Sequence, residues 1–500
     1  MKLHTVERAY RWFWPLVLIF IGVIIAIKSM SGFFPNSDTY FIIETGRYIV
    51  DNGVVPTTNP FVIHENFGVI IQQWLFDVLI YGVYKVGGWT GIFIYSLVML
   101  AISSVAMYAF FGFYSDNKKL KLILLALCIA AGGGFATARP TSISFLLCLA
   151  VVAVMEKYRR AGKWPVLLWL PLISLATINI HAAMWPMLYV LMLPYIFPGN
   201  LPAVKTYGFV KSIVVFVKGW FSKWKCVLLA IIVMFAVSFI NPNGLRGVGY
   251  LILSYGSASM GNISELMPPE MLSYHGVWSL FTIALLVVYV NKYKRDMDMA
   301  NFYMAAGTLV MALLHARNLW FLFFGAAPLF LDLLNNTNIA QHKERKITII
   351  KEIAAFYGAC FVIIIGVITC SSISLTVKDT AFSPIKAVEC LDNYEKEDIV
   401  LYTGFNNGAY MEMNGYKVYM DARPELFQKK INGKEDVFEE SLAAERGQMD
   451  PVEFLDKYKF THVIIEDGKY LDGFLNAYDG YEKVVDGEGY SLYQRCDWVP

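Results

Sequence analysis

"IIQQWLFDVLIYGVYKVGG", residues 70–88, is the stretch on which the reading of the whole chain turns. Residues 71–86 are apolar enough to count as a membrane span, yet they include Gln72, Gln73, Asp77 and Lys85. As a span, they would move every later loop to the other side of the bilayer. A span needs roughly 20 apolar residues, and outside this stretch eleven segments qualify: 12–30, 89–114, 120–137, 140–157, 164–181, 183–198, 226–242, 275–291, 300–316, 318–334 and 349–373. With the N-terminus inside, the inward segments collect Lys2, Arg8 and Arg11, then Lys118, Lys119 and Lys121, then Lys157, Arg159, Arg160 and Lys163. Lys205, Lys211, Lys218, Lys223 and Lys225 follow, then Lys292, Lys294 and Arg295, then Lys343, Arg345, Lys346 and Lys351. The short outward segments hold only Lys28, Arg47, Lys85, Arg139, Arg246 and Arg317. That asymmetry is the positive-inside pattern, and an extra span at 71–86 would destroy it. Residues 70–88 therefore read as an amphipathic helix at the outer interface, with Trp74, Tyr81 and Tyr84 at the depth aromatic rings prefer. The expected topology is N-terminus cytoplasmic and C-terminus outside, in the plasma membrane.

Composition agrees. The 500 residues are 57% hydrophobic and 16% charged, too apolar for a soluble globular protein. A net charge of +2 with no pooled basic patch gives no footprint for nucleic acid. The seven cysteines show no CxxC or Cys/His spacing for zinc. The basic lead and apolar run at residues 1–30 lack a small-residue cleavage site, so they read as an uncleaved first span. From about residue 375 the pattern changes to short strands, "DIVLYT", "GAYMEM", "KVYMDA", "THVIIED" and "YSLYQR", among helical stretches near 384–395, 433–445 and 451–459. The expected architecture is an α-helical polytopic membrane domain over 1–374, with a first external loop at 31–88, followed by a soluble extracytoplasmic α/β domain over 375–500. Cys390 and Cys496 fall in that domain, as a pair or as two thiols.

Ionisable residues near membrane spans are costly and mark sites. Here Asp38, Glu44, Arg47, Asp51, His64, Glu65, Asp77, Arg139, His181, Arg246, Glu265, Glu270, His275, His315 and Arg317 all map to the outer side. The spans are nearly free of acidic residues, which argues against an ion-coupled carrier with charges at mid-membrane. Each candidate also has a plain reading. Asp38, at the head of "SDTYFIIETGRYIVDNG", reads as a helix cap. Arg139 and Arg317 read as snorkelling cations, His181 as a packed, hydrogen-bonded histidine, and Glu265 as solvated. Asp421 and Arg423 in "YMDARPEL" read as an ion pair fixing a turn.

The succession of motifs resembles membrane glycosyltransferases of the GT-C superfamily, in particular a large bacterial group with a similar first loop and a soluble C-terminal domain. The resemblance runs through "SDTYFIIETGRYIVDNGVVPTTNPF", "QQWLFDVLIYGVYKVGGWTGI", "ARPTSISFLL", "NIHAAMWPM", "NPNGLRGVGYL", "ISELMPPEML", "HARNLWFLFFGAAPLF" and "GFNNGAYMEMNGYKVYMDARPELF". Ile42, Gln73 and Ala182 stand where that group has histidine, glutamate and glycine. The resemblance implies inverting transfer of a sugar from a polyprenyl-phosphate donor to a glycan, lipid or protein acceptor at the outer face. It assigns the base to Asp38, the donor phosphate to Arg139, His181 and Arg317, and acceptor or substrate contacts to Arg47, Glu65 and Glu265. It requires no organic cofactor and admits a divalent cation, which Glu65 would help position. Two rival readings of the same chain are a transporter or lipid flippase and a non-catalytic envelope-assembly scaffold.

Overall fold

Nine of the eleven expected spans coincide with helices in the structure, a computed structural model that describes residues 37–132, 137–196, 224–254, 266–335 and 377–500. The expected spans at 12–30 and 349–373 lie outside the described residues. In chain order the helices are α1 (Ser37–Asn52), α2 (Trp74–Phe111), α3 (Lys118–Gly132), α4 (Thr141–Ala161), α5 (Trp169–Ile180) and α6 (Trp185–Ile196). They continue with α7 (Trp224–Val237), α8 (Gly244–Ser254), α9 (Tyr274–Tyr293), α10 (Met299–Leu314) and α11 (Leu322–Asn335). Four of these stretches, 74–111, 141–161, 275–293 and 316–334, are long and apolar enough to cross a membrane, and five shorter apolar helices stand among them. Trp164, Leu168, Trp169 and Leu172 are each more than half exposed. On a multi-pass membrane protein such a stripe faces lipid.

α2 contains the deciding stretch. Its helix breaks at Gly88, with φ 54° and ψ −146°, a conformation natural to glycine alone. The break separates residues 74–87 from the apolar run that follows. The first part packs on α1, burying Phe76, Asp77 and Ile80 against Tyr40, Ile42 and Ile43. Gly46 makes this approach possible, because a Cβ there would lie 2.1 Å from the carbonyl oxygen of Asp77 and 2.8 Å from Cβ of Tyr81. Backbone cannot yield as a flexible side chain can. Gly46→Ala should therefore drive α1 and α2 apart and destabilise the protein by about 1–3 kcal/mol, read as a lower thermal midpoint in detergent.

At the opposite end of the bundle, Glu156 of α4 is fully buried and takes Arg159 through both oxygens, at 2.7 and 3.0 Å. Arg159 also holds Asp298 at 2.8 Å, and Asp298 caps α10 by accepting from the amides of Ala300 and Asn301. One guanidinium thus ties two helices together.

The C-terminal domain builds a four-stranded sheet, β1 (Leu401–Tyr402), β2 (His462–Glu466), β3 (Tyr481–Asp486) and β4 (Tyr490–Arg495), in the order β1-β2-β4-β3. β1 and β2 are parallel, and β4 runs antiparallel to both β2 and β3. Around it stand α12 (Ile385–Leu391), α13 (Gly408–Met413), α14 (Lys429–Asn432), α15 (Val437–Glu445), α16 (Pro451–Tyr458) and α17 (Tyr470–Leu475). Two strand expectations are corrected. "GAYMEM" is the helix α13, and it buries Gly408, Ala409, Met411 and Glu412, a helical spacing. "KVYMDA" forms no full strand but contributes Val418, which bridges Leu401 and Val62 in parallel. "YEKVVD", passed over in the sequence, is β3. Cys390 and Cys496 are free thiols.

The bridge to Val62 has a larger consequence. Val418 accepts from the Ile63 amide at 3.0 Å and donates to the Phe61 carbonyl at 2.9 Å, so the loop after α1 is stitched onto the C-terminal domain as an edge segment. His64 sits in that seam between Phe67, Tyr419 and Tyr458, and its Nε2 donates to the Tyr419 carbonyl at 2.8 Å. Burial lowers its pKa to about 4, against the pull of that carbonyl and of Glu435 and Glu440, while Lys457 adds to the lowering. The folded value is below the ordinary 6.5, so the unfolded chain binds the extra proton between the two. The seam's contribution is complete above pH 6.5 and falls as pH drops towards 4, by about 3 kcal/mol at most. A pH series of thermal midpoints should show this step in wild type and lose it in His64→Phe.

Candidate active site

The end of the helical body that carries the C-terminal domain gathers several candidate residues. Asp38 lies in the first turn of α1, where a carboxylate also complements the helix dipole. Arg139 sits in the turn that opens α4. That turn is fixed by Ser142, whose amide and hydroxyl both donate to the Arg139 carbonyl, at 3.0 and 2.8 Å. Tyr95 of α2 bonds the same hydroxyl at 2.8 Å. So held, the Arg139 side chain puts Nε 2.9 Å from Oδ2 of Asp38. Both side chains remain about 30% exposed, so the pair opens to the surroundings rather than being sealed in the core.

His181 ends α5, where the helix gives way to a short 3₁₀ turn. Its Nδ1 is 2.7 Å from the Ser144 hydroxyl, and the charge of Arg317 reaches it from the 3₁₀ segment Ala316–Phe321. The Ala182 amide donates to the Gln72 carbonyl at 3.0 Å. Asn179 accepts from the Trp74 indole at 2.9 Å and donates to the Ile240 carbonyl at 2.9 Å, while Asn243 donates to the Ile71 carbonyl at 3.1 Å. Two stretches far apart in sequence, at residues 179–182 and at Asn243, thus pin residues 71–74 in one place. Beside Arg317, Leu319 and Leu322 line an apolar groove with Leu124, Cys128, Trp278 and Phe330.

Other expected site residues stand elsewhere. Arg47 is nine residues beyond Asp38, about 14 Å along the helix. It pairs with Glu44 and donates to the Met413 carbonyl at 2.9 Å, which makes it a tie to α13. Burial raises the Glu44 carboxyl to about pKa 7, while Arg47 opposes the shift. Glu65 is exposed, and its backbone carbonyl accepts from Lys434 at 2.7 Å. Neither joins Asp38. Glu265 lies outside the described residues. Gln73 starts α2, its carbonyl accepting the Asp77 amide at 3.0 Å, and Ile42 is completely buried in the α1 packing face. Among the described residues no group of three or more His, Cys, Asp or Glu side chains is arranged to hold a metal ion.

What sequence reading missed comes from the C-terminal domain. Arg423 does pair with Asp421, which accepts its backbone amide at 2.7 Å and its Nε at 3.1 Å. The same guanidinium also lies over the Phe41 ring at 4.8 Å, one turn from Asp38, and reaches the Thr45 hydroxyl at 3.5 Å and Glu412 at 3.5 Å. Tyr40 bonds Ser383 and packs edge-on against Tyr410 at 4.9 Å. The helix bearing Asp38 is therefore clamped between the bundle and the C-terminal domain. The one usable signal was the close spacing of Asp421 and Arg423 in "YMDARPEL".

No protein-family model and no curated protein matches the chain. Solved structures do. The apo oligosaccharyltransferase of Archaeoglobus fulgidus aligns with a TM-score of 0.53 and 11% identity, over 91% of this chain and 69% of that one. The oligosaccharyltransferase AglB from the same archaeon, solved with an inhibitory peptide and a dolichol-phosphate, aligns at 0.52 and 12% identity, over 98% of this chain and 75% of that one. At such identities the likeness concerns architecture. The chain shares the overall fold of these two oligosaccharyltransferase structures.

Proposed function

We propose that the protein is a membrane glycosyltransferase that moves a sugar from a polyprenyl-phosphate donor to a hydroxyl- or amide-bearing acceptor, with inversion, on the side of its C-terminal domain. The Asp38–Arg139 pair carries this reading: a carboxylate and a guanidinium 2.9 Å apart, partly exposed, at the mouth of the helical body. Asp38 takes the acceptor's proton as its oxygen or nitrogen attacks the anomeric carbon. Arg139, with Arg317, stabilises the negative charge that grows on the departing phosphate. His181, held by Ser144, lines that approach. The groove lined by Leu319 and Leu322 is apolar enough for the isoprenoid tail, and Arg317 precedes Leu319 by two residues in the same 3₁₀ segment. That a neighbour in the same fold was solved with a dolichol-phosphate supports a lipid-phosphate donor here. A transporter gains no support from the geometry, since the charged clusters lie at the two ends of the helical body rather than midway along it.

The test is mass spectrometry of lipids retained by the gently purified protein, wild type beside Arg317→Gln. A polyprenyl-phosphate sugar in the wild type, depleted in the variant, is the expected result. Bulk phospholipid alone in both samples counts against a lipid-phosphate donor.

A further inference from the structure

The C-terminal domain carries a polar cavity at the edge of its sheet farthest from the seam with the first loop. Val418, which forms that seam, bridges β1, and the sheet continues through β2 and β4 to β3. Four strand spacings, roughly 19 Å, therefore separate the seam from β3. There the start of β3, the end of β4 and α16 border a cavity of 290 Å³, the size of the smaller ligand pockets at about 300 Å³. Its lining is more polar than apolar, the reverse of the groove at Leu319. Arg495 ties the walls together, donating from Nη2 to Asp456 at 3.0 Å and from Nε to Asp497 at 2.8 Å. Asp479 supplies a third carboxylate. Tyr478 gives an aromatic wall. Its ring stacks on Phe474 at 5.1 Å and lies against Gly480, where a Cβ would fall 2.8 Å from Cζ of the ring. The Cys496 amide donates to the Gly480 carbonyl at 3.0 Å, and its thiol is free and exposed at the rim.

We propose that this cavity binds a neutral sugar ring of a glycan, at a place separate from the site of transfer. It uses neither Asp38 nor the lipid donor, so it stands or falls apart from the function proposed above. Three carboxylates against one guanidinium give the lining a net negative charge, which turns away phosphates, nucleotides and acidic sugars. A metal ion is not favoured either, because Asp456 and Asp497 are turned to different nitrogens of Arg495. Among the described residues, no group of three or more His, Cys, Asp or Glu side chains is arranged to hold one. An ionised carboxylate is a pure acceptor with about four lone-pair sites, so Asp456 and Asp497 keep capacity after meeting Arg495. Such acceptors suit hydroxyl donors, whose bonds to carboxylate are charge-assisted. Val452, Leu455 and the Tyr478 ring supply apolar surface beside them. A pyranose, with hydroxyls on its rim and C–H bonds on its faces, is the ligand that uses both kinds of wall.

Cys496 serves as the reporter. The full-length protein in lipid nanodiscs, free of sugar-headed detergent, is alkylated with iodoacetamide, and the rate at each cysteine is read by peptide mass spectrometry. The probes are the methyl glycosides of glucose, galactose, mannose and N-acetylglucosamine, with spermidine and calcium chloride as cationic controls. At least one glycoside should slow alkylation of Cys496 saturably, by about 10-fold at ten times its dissociation constant, and leave Cys390 unchanged. Asp479→Asn, a change at an exposed side chain, should weaken that protection. Gly480→Ala, which displaces the Tyr478 ring, should weaken it as well, with the thermal midpoint showing that both variants are folded. Protection by none of the four glycosides overturns the proposal. So does protection by spermidine or calcium alone, which would mark a cation site, and so does full glycoside protection in both variants. None of these failures touches the transfer reading, whose lipid assay does not involve this cavity.

Discussion

Asp38→Asn is expected to reduce sugar transfer by on the order of 10²–10⁴-fold, the contribution of a positioned general base, while the protein stays folded. The substitution keeps the shape and one oxygen of the side chain and removes the lone pair that would take the proton. It also preserves what Asp38 offers as a helix-start residue, since asparagine serves an N-terminal turn about as well. Loss of the ion pair with Arg139 should cost little, because both partners are partly exposed and such pairs contribute about 1 kcal/mol or less. Folding and function are thus separated at this position. Turnover should collapse while the thermal midpoint moves by only a few degrees. If Asp38 merely starts the helix, neither should change.

The second large effect concerns the clamp. Arg423 is the cation to which two carboxyls of the C-terminal domain turn: Asp421, completely buried, and Glu412, 2% exposed. Burial pushes the Glu412 carboxyl well above the usual range, repulsion from Asp421 adds to this, and Arg423 opposes it. Arg423→Met retains bulk and an apolar surface for the Phe41 ring but leaves Asp421 buried without its cation. Breaking one side of a buried pair costs about 3–5 kcal/mol, which for a domain of this size is a drop in thermal midpoint on the order of 10 °C or more. The seam to α1 should loosen with it, so hydrogen exchange in residues 37–52 should rise as well. Replacing Asp421 by Asn together with Arg423→Met should recover part of the loss, because it removes the orphaned charge. An unchanged midpoint in the single variant would mean that the cluster contributes nothing to the joint.

Sequence reading reached the bundle because apolar length and the distribution of lysine and arginine are one-dimensional signals. The interfacial reading of residues 70–88 came from charges in loops far away, and in the structure a break at Gly88 separates residues 74–87 from the apolar run that follows. The pairing of Asp38 with Arg139 was partly legible: both were candidates, but nothing along the chain sets residue 38 next to residue 139. Arg47 and Glu65 stand apart from Asp38 because α1 is long and because the loop after it docks as an edge segment on Val418. Periodicity carries no trace of that contact. "GAYMEM" misled for a related reason, since six residues of alternating size fit either period, and the approach of Gly408 to Met420 decides for a helix.

The most direct test of the central claim is donor turnover. Purified wild-type protein in liposomes would be given a panel of polyprenyl-phosphate sugars, with released polyprenyl phosphate followed by mass spectrometry. The account predicts that at least one sugar is released by wild type and not by Asp38→Asn. Release at equal rates by both proteins, or by neither while both remain folded, would contradict it.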